Sequence, residues 1–209
     1  MSWNVRSITN KFKEIKQVIL EADPDVVLLQ ETWAIPDKFD ITIPGYHQPY
    51  ISTRKTKRGG GVCTYVKTNI AVKVLKSPFV EGHLETKLLK LTLKNITYHC
   101  LNAYFGQNNK EKIIYDFTSF IASEKSNNNQ WIIGGDFNID LLKTDKSEPN
   151  YLIDSMASLE LFPQANFPTR ILQFGNTVQT GLIDNIFCPL GSKTISCKGI
   201  LTRDRKSVV

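Results

Sequence analysis

Trp131-Ile132-Ile133-Gly134-Gly135-Asp136-Phe137-Asn138-Ile139-Asp140 reads as an apolar strand running into a glycine pair, followed by an aspartate and an asparagine two residues apart. Side chains alternate along an extended strand, so positions i and i+2 share a face. If the extended geometry persists past the glycines, Asp136 and Asn138 face one substrate. A carboxylate can activate water and an amide can donate to a phosphoryl oxygen. On its own the stretch has an equally ordinary reading, because Gly, Asp and Asn are common turn residues after a buried strand. The other strand ends of the chain decide between the two.

Ser2-Trp3-Asn4-Val5-Arg6 reads as the end of a strand, and the apolar run from Val26 stops at Gln30-Glu31-Thr32. Tyr104 follows the alternating run Ile96 to Ala103, Thr169 stands in Phe167-Pro168-Thr169-Arg170, and Asp184 in Gly181-Leu182-Ile183-Asp184-Asn185-Ile186-Phe187. Asn, Glu, Tyr, Asp-x-Asn, Thr and Asp therefore appear in that order, each at or near the end of an apolar run. In this order and spacing, Leu29-Gln30-Glu31-Thr32 upstream of Gly135-Asp136-Phe137-Asn138 resembles the endonuclease/exonuclease/phosphatase superfamily. The nearest likeness is to the apurinic-like endonuclease domain of non-LTR (LINE-type) retrotransposons, whose branch the Arg58-Gly59-Gly60-Gly61-Val62 strand entry also resembles. The resemblance spans nearly the whole chain. It implies an α/β (α+β) fold of two packed mixed β-sheets flanked by helices, a four-layer sandwich.

The C-terminus departs from that pattern. Domains of this kind end in Ser-Asp-His before a short apolar strand, whereas this chain reads Arg203-Asp204-Arg205. The three histidines, His47, His83 and His99, all lie far upstream. In the resembled family Asp184 orients the missing histidine. Arginine cannot serve as a base, but its planar fork pairs with carboxylates or binds phosphate. Arg205 is thus expected to keep Asp184 paired while losing proton transfer. Together with the start two residues before the first motif, this reads as one domain over 1–209, truncated at both ends.

Composition agrees with a globular chain. Of 209 residues, 41% are hydrophobic and 22% charged, and 26 Lys+Arg against 20 Asp+Glu give a net charge of +6. This favours a polyanionic partner without demanding one. Cys63, Cys100, Cys188 and Cys197 form no Cys-x-x-Cys or zinc spacing and read as reduced buried thiols. No apolar run approaches the ~18 residues of a membrane span, and no secretory leader is evident. A nuclear or cytoplasmic monomer is expected.

Helical spacing predicts helices over Lys11–Glu21, Glu111–Ser123 and Asn150–Leu159. Extended runs are predicted over Asp25–Gln30, Val62–Lys67, Ile70–Leu75, Thr86–Leu93, Ile96–Tyr104, Gln130–Gly134, Arg170–Phe174, Thr180–Cys188 and Thr194–Leu201. Thr53-Arg54-Lys55-Thr56-Lys57-Arg58 carries four positive charges in six residues. It reads either as a solvated flexible loop or as a clamp on DNA phosphates.

Phosphodiester hydrolysis needs an activated in-line water, neutralisation of the non-bridging oxygens and a stabilised leaving alkoxide. Mg²⁺, with Mn²⁺ as a substitute, supplies the last two when held by one or two carboxylates. Glu31 is the leading ligand, with Asp204 as a second ligand or helper. Asp136 would activate the water, Asn138 and Asn4 would fix phosphate and carboxylate, and the hydroxyls of Tyr104 and Thr169 would contact phosphate. Arg54, Lys55, Lys57, Arg58, Arg170 and Arg203 are the expected substrate contacts, with duplex DNA as partner and a reverse transcriptase module in the full-length parent protein. Two other readings stay open: a non-catalytic DNA-binding relic of that domain, and a phosphoesterase acting on small or lipid phosphates.

Overall fold

The computed structural model describes residues 1–33, 35, 39–125, 130–175 and 177–191. Its strands are β1 (Ser2–Asn4), β2 (Val26–Gln30), β3 (Tyr50–Ser52), β4 (Val62–Val66), β5 (Ala71–Leu75), β6 (Phe79–Val80), β7 (Leu84–Leu93), β8 (Ile96–Phe105), β9 (Gln130–Asp136), β10 (Phe162–Pro163), β11 (Arg170–Phe174), β12 (Thr177–Gly181) and β13 (Asp184–Cys188). The helices are α1 (Ile8–Ala22), α2 (Lys110–Glu124) and α3 (Ser147–Ser158).

Two parallel pairings organise the chain, and each needs a crossover longer than a hairpin can give. α1 carries β1 to β2, and α2 carries β8 to β9. The smaller sheet runs β1-β2-β4-β3, and the larger runs β10-β13-β9-β8-β7-β5 with β6 beside β7. β11 and β12 form a separate hairpin.

Alternation then sorts side chains into three apolar layers. α1 turns Ile8, Ile15 and Ile19 onto Trp3, Val27, Leu29 and Tyr65 of the smaller sheet. α2 and α3 bring Ile113, Ile114, Phe117, Leu152 and Met156 onto Leu101, Phe105, Ile133 and Phe187 of the larger sheet. Between the sheets lie Leu28, Val66, Ile70, Leu89, Leu91 and Cys100. The order is helix, sheet, sheet, helix, as the resemblance implied. Each fully buried large side chain contributes roughly 1.5–3 kcal/mol. At Gly134 any Cβ would collide with Leu28 of the facing sheet, so glycine there lets the sheets close.

Phe137 anchors the end of β9. It is fully buried and packs edge-to-face on Phe105 and Phe187, with centroids 5.1 and 5.2 Å away. Edge-to-face geometry is the favourable one for rings at this separation.

Two expectations need revision. The run Thr180–Cys188 is not one strand, because β12 ends at Gly181 and β13 begins at Asp184. Between them, the Leu182 and Asp184 amides turn to the side chains of Asp140 and Thr169. The short strands β3, β6 and β10 have too few residues to show a period and were not expected. The predicted strand Thr194–Leu201 lies outside the described residues.

Candidate active site

Ladder register places four side chains in one row across the larger sheet. Asp136 pairs with Tyr104 on one side and Asp184 on the other, and Tyr104 pairs with Glu85. Paired residues of neighbouring strands share a face, and this row faces the smaller sheet. From that sheet come Asn4, the last residue of β1, and Glu31, just past β2. The Asn4 Nδ2 donates to Glu31 Oε1 at 2.7 Å and to Asp136 Oδ2 at 2.5 Å, so one amide ties the two sheets' carboxylates together. Asp136 and Asp184 are buried beneath Glu31, which stays partly exposed.

The turn that delivers Glu31 is a strained one. Its φ is 50°, a left-handed conformation costing roughly 1–2 kcal/mol for an L residue. The backbone is held there by bonds from Ser7 N to Glu31 O (2.8 Å) and from Ile8 N to Thr32 O (3.1 Å). The loops after β1 and after β2 are therefore knitted together below the site.

Asp136 and Asn138 meet in a different way from the one their spacing suggested. The strand ends at Asp136, and Asn138 is left-handed with φ 50°, so no extended geometry links them. Instead the Asn138 backbone N donates to Asp136 Oδ1 at 3.0 Å. The Asn138 Nδ2 donates to Phe105 O (2.8 Å) and its Oδ1 accepts from Gln107 Nε2 (2.9 Å). Gln107 was missed by the sequence reading, although it stands three residues beyond Tyr104, two past the end of the same strand.

Burial, reinforced by the charges of Glu31 and Asp136, pushes the Tyr104 phenol up to about 12, so it stays protonated and can donate. Lys110, at the start of α2, is pushed down to about 8 by burial, against the pull of Asp136 and Glu148. Thr169 was expected to meet a phosphate. It is fully buried, and its Oγ1 accepts from Ile183 N (3.2 Å) and Asp184 N (3.0 Å), fixing the start of β13. Asp140 does similar work through Leu182 N at 2.9 Å.

The basic loop is tied down rather than freely solvated. Glu81 accepts from the Thr56 hydroxyl and from Lys55 N, and these bonds push its carboxyl down to about 2. Lys55, Lys57 and Arg58 are exposed, with Arg58 5.3 Å above the Trp33 ring, whereas Arg54 turns inward to Glu85. Arg170 opens β11, next to Thr169. The structure thus gathers Asn4, Glu31, Tyr104, Asp136, Asn138 and Asp184, with Thr169 behind them. Arg203, Asp204 and Arg205 lie outside the described residues.

The family model described as the Endonuclease/Exonuclease/phosphatase family matches residues 1–201. The chain belongs to this family. Solved structures share the fold at low identity. The endonuclease domain of TRAS1, a telomere-specific non-LTR retrotransposon, is 14% identical over 90% of this chain and 83% of its own, with TM-score 0.66. A 3′ phosphatase from Neisseria bound to a product DNA hairpin is 17% identical over 90% and 85%, with TM-score 0.64. A mannosyl-6-phosphatase from Bacteroides thetaiotaomicron is 14% identical over 91% and 84%, with TM-score 0.61. No curated protein sequence matches the chain. Family membership supports a hydrolytic nuclease or phosphatase at that breadth, and the fold by itself does not choose the substrate.

Whether the site suits a divalent cation can be judged from its oxygens. Among the described residues no three His, Cys, Asp or Glu side chains gather to hold a metal unaided. Yet Asn4 Oδ1 is buried with no hydrogen-bond partner among the described residues, on the amide that donates to the Glu31 carboxylate. A carboxylate and an amide oxygen are hard donors, the kind Mg²⁺ combines with several waters. The donor set fits.

Proposed function

We propose that the chain is a Mg²⁺-dependent DNA endonuclease domain of the retrotransposon type, nicking one strand by phosphodiester hydrolysis, with activity reduced at the terminal Arg203-Asp204-Arg205. The observation that carries this reading is the Asn4 amide joining Glu31 to Asp136, which puts a ligand-type carboxylate and a base-type carboxylate in one site. Asp136, oriented by Asn4 Nδ2 and Asn138 N, takes a proton from water as the water oxygen attacks phosphorus. The P–O bond to the leaving sugar oxygen breaks, and that oxygen gains a proton from solvent. Tyr104, neutral at physiological pH, donates to a non-bridging oxygen. Glu31 and Asn4 Oδ1, with Asp204, would hold Mg²⁺, which when bound neutralises phosphate charge and stabilises the leaving alkoxide.

The exposed cations of the 53–58 loop favour a polyanion over a sugar phosphate. Such a domain would act in the nucleus or the cytoplasm, beside a reverse transcriptase module of a longer parent protein.

The test is nicking of supercoiled plasmid with Mg²⁺ or EDTA, comparing the chain with Arg203→Ser/Arg205→His. Restoring an imidazole should raise Mg²⁺-dependent nicking by at least ~10²-fold, the lower end of what a positioned acid or base contributes. A variant that binds duplex yet never nicks would leave the relic reading. One that hydrolyses only small phosphate esters would replace DNA as substrate.

A further inference from the structure

The proposed chemistry gives Glu85, at the end of the site row, no part. Glu85 is fully buried, in register with Tyr104. A carboxylate without water must be compensated by donors, and Glu85 has three: Gly61 N at 2.5 Å, Gly82 N at 2.7 Å and Arg54 Nε at 2.6 Å. Its oxygens therefore hold three separate pieces of chain, the two ends of the 53–61 loop and the turn before β7.

Arg54 is the piece that bears on function. Its guanidinium carbon lies 6.0 Å from the centroid of the Tyr104 ring, and its Nη1 also donates to Arg58 O at 3.2 Å. Of five guanidinium N–H donors, these bonds use two, and the others have no partner among the described residues. The side chain keeps 11% of its surface exposed. At Gly60 a Cβ would strike this guanidinium, so the loop's glycine leaves room for it. A fixed guanidinium beside a protonated phenol, with donors to spare, matches a phosphate, whose oxygens a guanidinium fork pairs in parallel.

We infer that Arg54 binds a phosphodiester within the site wall, and that Glu85 is its positioning residue. The exposed Lys55 and Lys57 attract DNA from solution, while Arg54 is held in one orientation beside Tyr104. This assignment rests on the proposed endonuclease reading.

The test is duplex oligonucleotide binding across a salt series for the unmodified chain, Arg54→Ala, Arg54→Lys, Glu85→Gln and Arg54→Ala/Glu85→Gln, with a thermal melt of each. Arg54→Ala should weaken binding about 10-fold or more and lower the salt slope by about one. Glu85→Gln removes a negative charge, which by simple electrostatics should tighten DNA binding. Positioning requires the opposite, a loss approaching that of Arg54→Ala. The double variant should bind no more weakly than Arg54→Ala, because Glu85 acts through Arg54. Arg54→Lys, keeping the charge without the fork, should stay weak.

Tighter binding by Glu85→Gln, additive losses in the double variant, or Arg54→Ala binding like the unmodified chain would overturn the assignment. If Glu85→Gln does not fold, the lysine variant decides, since full affinity in Arg54→Lys would show that no oriented fork is needed. Absence of duplex binding by the unmodified chain would instead overturn the endonuclease reading, and this assignment with it.

Discussion

The layer between the two sheets has a dry end and a polar end, built on the same strands. At the dry end Leu28, Val66, Ile70, Leu89, Leu91 and Cys100 pack together, and burial pushes the Cys100 thiol up to about 12. Two residues further along β8, Asn102 is fully buried, donating to Leu29 O, Cys63 O and Thr64 Oγ1 and accepting from Gln30 Nε2. Two residues beyond that stands Tyr104 in the site row. Each step of two residues is ~6.7 Å along a strand and keeps the side chain on the same face. Two steps thus lead from hydrocarbon, through a buried amide pair, to the site row. Stability and chemistry share a scaffold but occupy different positions on it.

The largest effect should come at the polar end. Asp136→Asn keeps the shape of the side chain and removes the base. Nicking should fall by ~10²–10⁴, while the melting temperature holds or rises, because the variant no longer buries a carboxylate. Rate assays and thermal melts on one preparation check this. A steep drop in melting temperature would erase the division between the two ends.

The converse substitution belongs at the dry end. Leu89→Ala leaves a cavity and should cost ~2–5 kcal/mol of stability, with kcat of the folded fraction unchanged. Asn102→Ala lies between the two, and should cost ~1–3 kcal/mol as carbonyls lose a buried donor. Denaturant titration ranks the pair. A lower kcat in Leu89→Ala would show that packing reaches the site after all.

Asp136 and Tyr104 could be read from sequence because each closes an apolar run, and Asp184 because it interrupts one; a single register row then unites them. Glu31 and Asn4 could be named, but not their shared amide contact, since 27 residues separate them in the chain and only the parallel pairing of β1 with β2 brings them together. Glu85 was invisible for a different reason: it is an ordinary polar residue near a strand start, and it becomes a buried anchor only when the 53–61 loop folds over it. For the same loop the solvated reading stayed open beside the clamp, because its partners, Glu81 and Glu85, lie well over twenty residues away in the chain. The left-handed turn at Asn138 defeats alternation, which describes extended chain only. Lys110 gave no signal because a lysine at a helix start is normally solvated.

Lys110 supplies the smallest expected effect and separates the two ends by pH. Its Nζ donates to Gly106 O, and burial holds it down at about 8 against an ordinary value of 10.5. As pH rises through about 8 the folded site gives up a proton that the unfolded chain keeps until about 10.5. The unfolded state then binds more protons, so this group's contribution to stability rises with pH across that window. Attraction for a phosphate moves the other way, because the site loses a positive charge near Asp136. Duplex affinity should therefore fall a few-fold between pH 7 and pH 9 while the fold becomes no weaker. Lys110→Arg, which stays charged, should flatten that fall in affinity and leave the dry end unaffected. Identical pH profiles for the two proteins would remove Lys110 from the site.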